Sequence, residues 1–128
     1  LYVDDLQAAE AFYCHVLGLS CLQRDPARHA FFQCGQQMLL LFLAEISSSN
    51  QSDVPQHGCH GPGHLAFHVE ANQLNCWQNH LAHHGIDIEQ KVQWPHGGES
   101  LYFRDPAGNS LELVSAEVWG LDTAAGKG

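Results

Sequence analysis

A chain of 128 residues suffices for one domain with a hydrophobic core. Its net charge of −9, from 14 acidic against 5 basic side chains, argues against nucleic acid, anionic membrane surfaces and a phosphate pocket, which need clustered Lys and Arg. No run of eighteen apolar residues offers a transmembrane helix.

The sequence opens at Leu1 without Met, in what reads as mid-strand, so further residues are expected before it. Leu1-Tyr2-Val3 is the end of that strand. Residues 1–20 read as an acidic amphipathic segment rather than a signal peptide. Asp4 or Asp5 caps a helix, and Gln7, three after Asp4, offers a capping box. Leu6, Ala9, Tyr13, Val16 and Leu17 share a helical face, and Gly18 is placed to end it. Leu19 to Arg24 reads as a strand, "DPARH" as a turn, Phe31 to Cys34 as a short strand and "MLLLFLA" as a buried one.

The composition then changes. Glu45 to Gly63, "EISSSNQSDVPQHGCHGPG", is rich in Ser, Gly and Pro and reads as a linker or long mobile loop. After it the order repeats. His64 to Val69 is a strand. Asn72 caps a helix with Leu74, Trp77 and Leu81 on one face, and Gly85 ends it. Ile86 to Val92 is a strand, "WPHGGE" a loop, Leu101 to Arg104 a strand, "DPAGN" a tight turn and Ser110 to Ser115 a strand. "VLGLSC" echoes "HHGIDI", and "FFQCGQQMLLLF" echoes "YFRDPAGNSLELV". Such a repeat implies two copies of a unit that cannot close a core alone. The expected fold is α+β: two βαβββ modules forming a cup-shaped, curved mixed sheet with helices outside and a cleft inside. Module one spans 1–44, the linker 45–62, module two 63–115 and a tail 116–128.

Strand alternation selects the cleft-facing side chains. In "HLAFHV", Leu65, Phe67 and Val69 pack under the second helix, so His64, Ala66 and His68 face the cleft. In "SLELVS", Glu112 faces it with Ser110 and Val114. Tyr102 and Arg104 follow from "SLYFR", and the same rule turns Tyr2 inward. An imidazole and a carboxylate together suit Zn, Ni, Fe(II) or Mn. Singly, a strand His is more often a core residue and a strand Glu more often a solvated one. Among other histidines, His57 and His60 sit in the linker, where chance metal binding is the better reading. His80, His83 and His84 belong to a solvated helix face. His96 lies in a loop that overhangs the cleft, and Trp94 and Trp119 offer apolar surface for a ligand or an interface. The five cysteines, Cys14, Cys21, Cys34, Cys59 and Cys76, are odd in number and form no C-x-x-C pair. They indicate a reduced, cytoplasmic protein in which each is a small buried hydrophobe.

The stretches "LYVDDLQAAEAFYCHVLGL", "GPGHLAFHV" and "YFRDPAGNSLEL" resemble the vicinal oxygen chelate superfamily, which includes glyoxalase I, bleomycin-resistance proteins, fosfomycin-resistance thiol transferases and extradiol dioxygenases. The resemblance implies that His64 and Glu112 are metal ligands, with a further ligand three residues before Leu1. It implies no counterpart of the fourth-strand Glu of glyoxalase I, because "MLLLFLA" carries no carboxylate before Glu45. The function it implies is chelation of vicinal substrate oxygens by a divalent metal acting as a Lewis acid. Glu112 is then both ligand and catalytic group, and Tyr2, His68, Trp94, Tyr102 and Arg104 are substrate-binding residues. The alternatives are a metal-free binder of the bleomycin-resistance type, whose cationic ligand would suit the acidic balance, and an extradiol dioxygenase using two His and one carboxylate on iron. A fosfomycin-type transferase fits worst, for lack of bases. The expected partners are a small-molecule substrate and a second copy of the chain, in a homodimer that could exchange modules through the linker.

Overall fold

The computed structural model describes residues 1–49 and 53–120. Among the described residues there are eight strands: β1 (Tyr2–Val3), β2 (Ser20–Asp25), β3 (His29–Cys34), β4 (Gln37–Leu43), β5 (His64–His68), β6 (Gln90–Gln93), β7 (Glu99–Arg104) and β8 (Ser110–Val114). They form two four-stranded mixed sheets, ordered β1-β4-β3-β2 and β5-β8-β7-β6. In each, the first strand pairs parallel with the fourth and the other pairs are antiparallel. The expected repeat of strand, helix and three strands is therefore realised twice, in an α+β architecture.

The chain divides into two compact units. One comprises Leu1–Gly63 together with Asp105–Asn109, and the other His64–Arg104 together with the chain from Ser110 onward. In the first unit, helix α1 (Leu6–His15) starts where the Asp5 carboxylate accepts the Ala8 N–H at 3.0 Å. The cap is Asp5 rather than Asp4, so the residue three further on is Ala8 and the Gln7 capping box does not form. Gly18, at φ +72°, turns the chain out of the helix as expected. Leu6, Ala9, Phe12 and Tyr13 are buried, as are Ala30, Phe32, Leu39 and Leu41 of β3 and β4. Truncating any of these larger side chains should cost about 2–5 kcal/mol.

The Asp105–Asn109 turn belongs to this first unit. The Asp105 carboxylate accepts the N–H groups of Ala107 and Asn109 and the Asn109 side-chain amide. It also accepts the buried Tyr13 hydroxyl at 2.8 Å. Asn109 then donates to the Tyr2 carbonyl and accepts the Gly63 N–H. Burial first, and the Asp105 charge second, push the Tyr13 hydroxyl far above its ordinary value.

In the second unit, a 3-10 turn at Ala71–Gln73 leads into α3 (Leu74–His83). Asn72 lies inside that turn, and no side chain caps the helix, so the expected Asn72 cap is replaced by the turn's own backbone bonds. Gly85, at φ +73°, ends the helix as expected. Leu74 and Leu81 are buried with Leu101, Phe103, Leu111 and Leu113 of β7 and β8.

The segment read as a linker is more ordered than its composition suggested. Its first residues form a one-turn helix, α2 (Ala44–Ser47). The buried Ser47 hydroxyl donates to the His57 carbonyl at 2.7 Å, and the His57 N–H donates to the Ser47 carbonyl at 2.9 Å. The middle of that expected loop, residues 50–52, and the end of the expected tail, residues 121–128, lie outside the described residues. Five free cysteines are present, and none is buried: Cys14, Cys21 and Cys34 are half-buried, Cys59 and Cys76 exposed. They are thiols at partly wetted positions rather than core hydrophobes.

Candidate metal and substrate site

Alternation works as expected along β5. Leu65 and Phe67 are half-buried, and His64, Ala66 and His68 are exposed. The pairing sets Ala66 beside Glu112 and Glu112 opposite Tyr102, with His64 beside Ser110 and Ser100 opposite Val114. One face of the second sheet thus carries His64, Glu112, Tyr102 and Ser100.

His64 and Glu112 meet. The His64 Nδ1 lies 2.9 Å from the Ser110 carbonyl oxygen. A carbonyl can only accept, so Nδ1 carries the proton, and in the neutral ring Nε2 presents its lone pair. Nε2 faces Glu112 Oε1 at 3.1 Å. A neutral imidazole and a carboxylate there put two lone pairs against each other, which only a proton or a cation between them relieves. Glu112 is 5% exposed, and a carboxylate so buried needs a partner charge. Among the described residues, His64 is its ion-pair partner.

The arrangement fits part of a metal shell. The ring is fixed in the tautomer that ligating histidines use, by the hydrogen bond on its other nitrogen. Donors 3.1 Å apart suit neighbouring ligands on an ion with bonds of about 2.1 Å. No group of three or more His, Cys, Asp or Glu able to hold a metal occurs among the described residues. Water, substrate or a further residue would have to complete the shell.

Around this pair, the Tyr102 ring stacks near His64, with centroids 6.2 Å apart. Burial, then the charge of Glu112 and a hydrogen bond to it, raise the Tyr102 hydroxyl above its ordinary value, so it stays a protonated donor. Ser100, fully buried, donates to Glu112 Oε2 at 2.5 Å and accepts the Trp94 indole N–H at 3.0 Å. The loop "WPHGGE" makes that contact: Gly97 and Gly98, both at positive φ, fold it so that the Trp94 N–H meets the Gly98 carbonyl. His96 lies in the same loop. Sequence reasoning missed Ser100. Its parity with Tyr102 and Arg104 along β7 was the available signal.

The other expected residues are placed differently. Arg104 forms an exposed two-point pair with Glu89, at 2.7 and 3.1 Å, so the guanidinium is engaged by that carboxylate. His68 is exposed at the last position of β5. Tyr2 belongs to the first unit. Its hydroxyl bonds His57 Nδ1 at 2.8 Å, and the His57 ring packs edge-on against Phe42. His57, expected in a flexible linker, is thus built into an aromatic cluster. Tyr2 also lines a cavity of about 420 Å³ in the first unit, with Asp4, Leu43, Glu45, His60 and Pro62 among its walls. None of His64, Ser100, Tyr102 or Glu112 lines that cavity. Its acidic groups are exposed and solvated, so the buried carboxylate against an oriented imidazole carries the stronger chemical signal.

The sequence and the fold match known proteins. Residues 1–113 match the model of the Glyoxalase/Bleomycin resistance protein/Dioxygenase superfamily, and the chain belongs to it. A crystal structure of lactoylglutathione lyase from Agrobacterium tumefaciens is similar, with 42% identity, a TM-score of 0.91, and coverage of 94% of this chain and 92% of that one. The metallothiol transferase FosB of Shouchella clausii is 32% identical over 113 residues, 87% of this chain and 73% of FosB. The catechol-2,3-dioxygenase of Bacillus subtilis is 29% identical over 122 residues, which span 90% of this chain but 39% of the dioxygenase. No helix among the described residues is long and apolar enough to cross a membrane.

Proposed function

We propose that this protein is a glyoxalase-like metal-dependent enzyme acting on a small substrate with vicinal oxygens. The observation that carries the reading is the oriented His64 Nε2 facing the buried Glu112 Oε1. These two residues would hold the divalent ion, Zn, Ni, Fe(II) or Mn. When bound, the ion supplies Lewis-acid stabilisation of a developing oxyanion. Glu112 would also take up or return a proton, and Tyr102 would donate a hydrogen bond from its protonated hydroxyl. His68, Trp94 and Tyr2 would contribute to substrate contacts, and Arg104 would do so only after leaving Glu89.

A His, Gln or Glu three residues before Leu1 would be the third donor that the family resemblance implies. The neighbours include a lyase, a metallothiol transferase and a dioxygenase, so the reaction type is the open variable. The protein would work as a homodimer, with modules paired within or between chains.

A second reading is a metal-free ligand binder, favoured by the lack of a third donor among the described residues. Metal analysis of protein purified without added metal separates the two, with His64→Ala and Glu112→Ala in parallel. Stoichiometric metal in wild type that both variants lose supports the enzyme. Wild type carrying no more than the variants defeats it. Turnover assays with the methylglyoxal–glutathione adduct and catechols, beside a binding assay with bleomycin, then assign the substrate class.

A further inference from the structure

We infer that Ser100 is a positioning residue that reserves one oxygen of Glu112 and leaves the other to the metal, with Trp94 setting the direction of its hydroxyl. The inference rests on the proposed His64–Glu112 metal site and names a residue that the site's first layer does not contain.

The argument is one of hydrogen-bond capacity. An indole N–H can only donate, so Trp94 Nε1 takes a lone pair of Ser100 Oγ. The Ser100 proton is left to point elsewhere, and Glu112 Oε2 accepts it at 2.5 Å. Ser100 is 0% exposed, so water does not compete for either bond. Oε2 is occupied by Ser100 from the side of β7, Oε1 faces His64 Nε2, and the Tyr102 hydroxyl adds a further bond to the carboxylate. A carboxylate held in this way offers one oxygen, not two, to an ion shared with His64. Coordination positions that the second oxygen would fill stay available to a chelating substrate. The relay is local, because Trp94 and Ser100 are six residues apart and the "WPHGGE" loop joins them. Partners of this kind around ligating carboxylates tune affinity and geometry as strongly as some ligands do.

Cobalt(II) is the probe, because its visible absorption reports coordination number while its titration reports affinity. Wild type, Ser100→Ala, Ser100→Cys, Ser100→Thr and His64→Ala/Glu112→Ala are compared, each first checked for a native circular dichroism spectrum and melting curve. The expected result is cobalt binding by wild type that weakens about 10- to 100-fold in Ser100→Ala and Ser100→Cys. The visible bands of those two variants should also shift as the carboxylate becomes two-toothed. Ser100→Thr, which restores the hydroxyl, should return both readouts towards wild type. Trp94→Phe, which removes only the indole donor, should give a smaller change in the same direction. Wild-type affinity and spectrum in Ser100→Ala, or full function in Ser100→Cys, would overturn the role of Ser100 while leaving the metal site standing. Wild type binding no more cobalt than the double variant would overturn the metal site and this inference together.

Discussion

The two modules share a strand order and differ in what they do with it. Phe31 stands opposite Leu40 in the first sheet as Tyr102 stands opposite Glu112 in the second. By the same pairing, Met38 occupies the place of Ser110 and His29 the place of Ser100. On the opposite face the modules agree: Phe32 pairs with Leu39 as Phe103 pairs with Leu111, and all four are buried. One parity of each strand therefore encodes the fold, and the other is free to vary. In the first module that free parity is mostly apolar, with Met38 48% and Leu40 39% exposed and His29 half-buried. In the second it carries a buried acid and its donors. Function can be written onto one copy of a repeat because the core of that copy does not read those positions.

Substitutions can break this comparison or sharpen it. The largest effect is expected for Glu112→Leu, which gives the second module the residue of the first. Metal affinity should fall at least 100-fold, about 3 kcal/mol by the relation between affinity and free energy, as read by cobalt titration. The reciprocal Leu40→Glu should shift stability by about 1 kcal/mol at most, because Leu40 is 39% exposed. Next comes the turn that only the second repeat possesses. Asp105→Ala strips the Asp105–Asn109 turn and the Tyr13 hydroxyl of their acceptor, and should cost about 3–4 kcal/mol in chemical unfolding.

Tyr13→Phe should cost less, about 1–2 kcal/mol at neutral pH, and it should change the alkaline limb of stability. The folded-state value of the Tyr13 hydroxyl is raised, so the native state keeps a proton that the unfolded state loses above about pH 10. Stability from this group is fully present below that point and declines as pH rises beyond it. Melting temperatures between pH 9 and 11 should fall less steeply in Tyr13→Phe than in wild type. A parallel slope in the two proteins would remove Tyr13 from that role. The smallest effect belongs to the exposed Arg104–Glu89 pair. The guanidinium lowers the Glu89 carboxyl, so its contribution exists above the ordinary carboxylate range and fades as pH falls. Solvent screens it, and Glu89→Gln should leave the melting temperature unchanged within error.

Strand alternation made much of the second sheet legible. It turned His64 and Glu112 to one side and Leu111, Leu113 and Phe103 to the other, as the structure has them. Gly18 and Gly85 marked the helix ends because a left-handed residue is cheapest as glycine. The failures were of long-range pairing. Nothing local in "SSSNQSDVPQHG" announces that Ser47 and His57 will bond each other, or that His57 will reach Tyr2, 55 positions away. Composition read the segment as loose because polar residues look alike whether water or protein satisfies them. In the sequence Trp94 reads as apolar surface, and its role as an N–H donor depends on a buried hydroxyl that its own loop brings within reach. Arg104 has the right parity, but the neighbouring Glu89 takes its charge.

The Asp105–Asn109 turn has a consequence for how the chain is made. The Tyr13 hydroxyl waits for a partner 92 positions downstream, and the Tyr2 carbonyl for one 107 positions downstream. Contacts of such separation pay their loop-closure entropy late. A nascent chain leaving the ribosome holds every strand of the first unit long before it holds Asp105. That unit therefore stays unfinished, with Tyr13 still lacking its protein acceptor, until Asp105 has been synthesised.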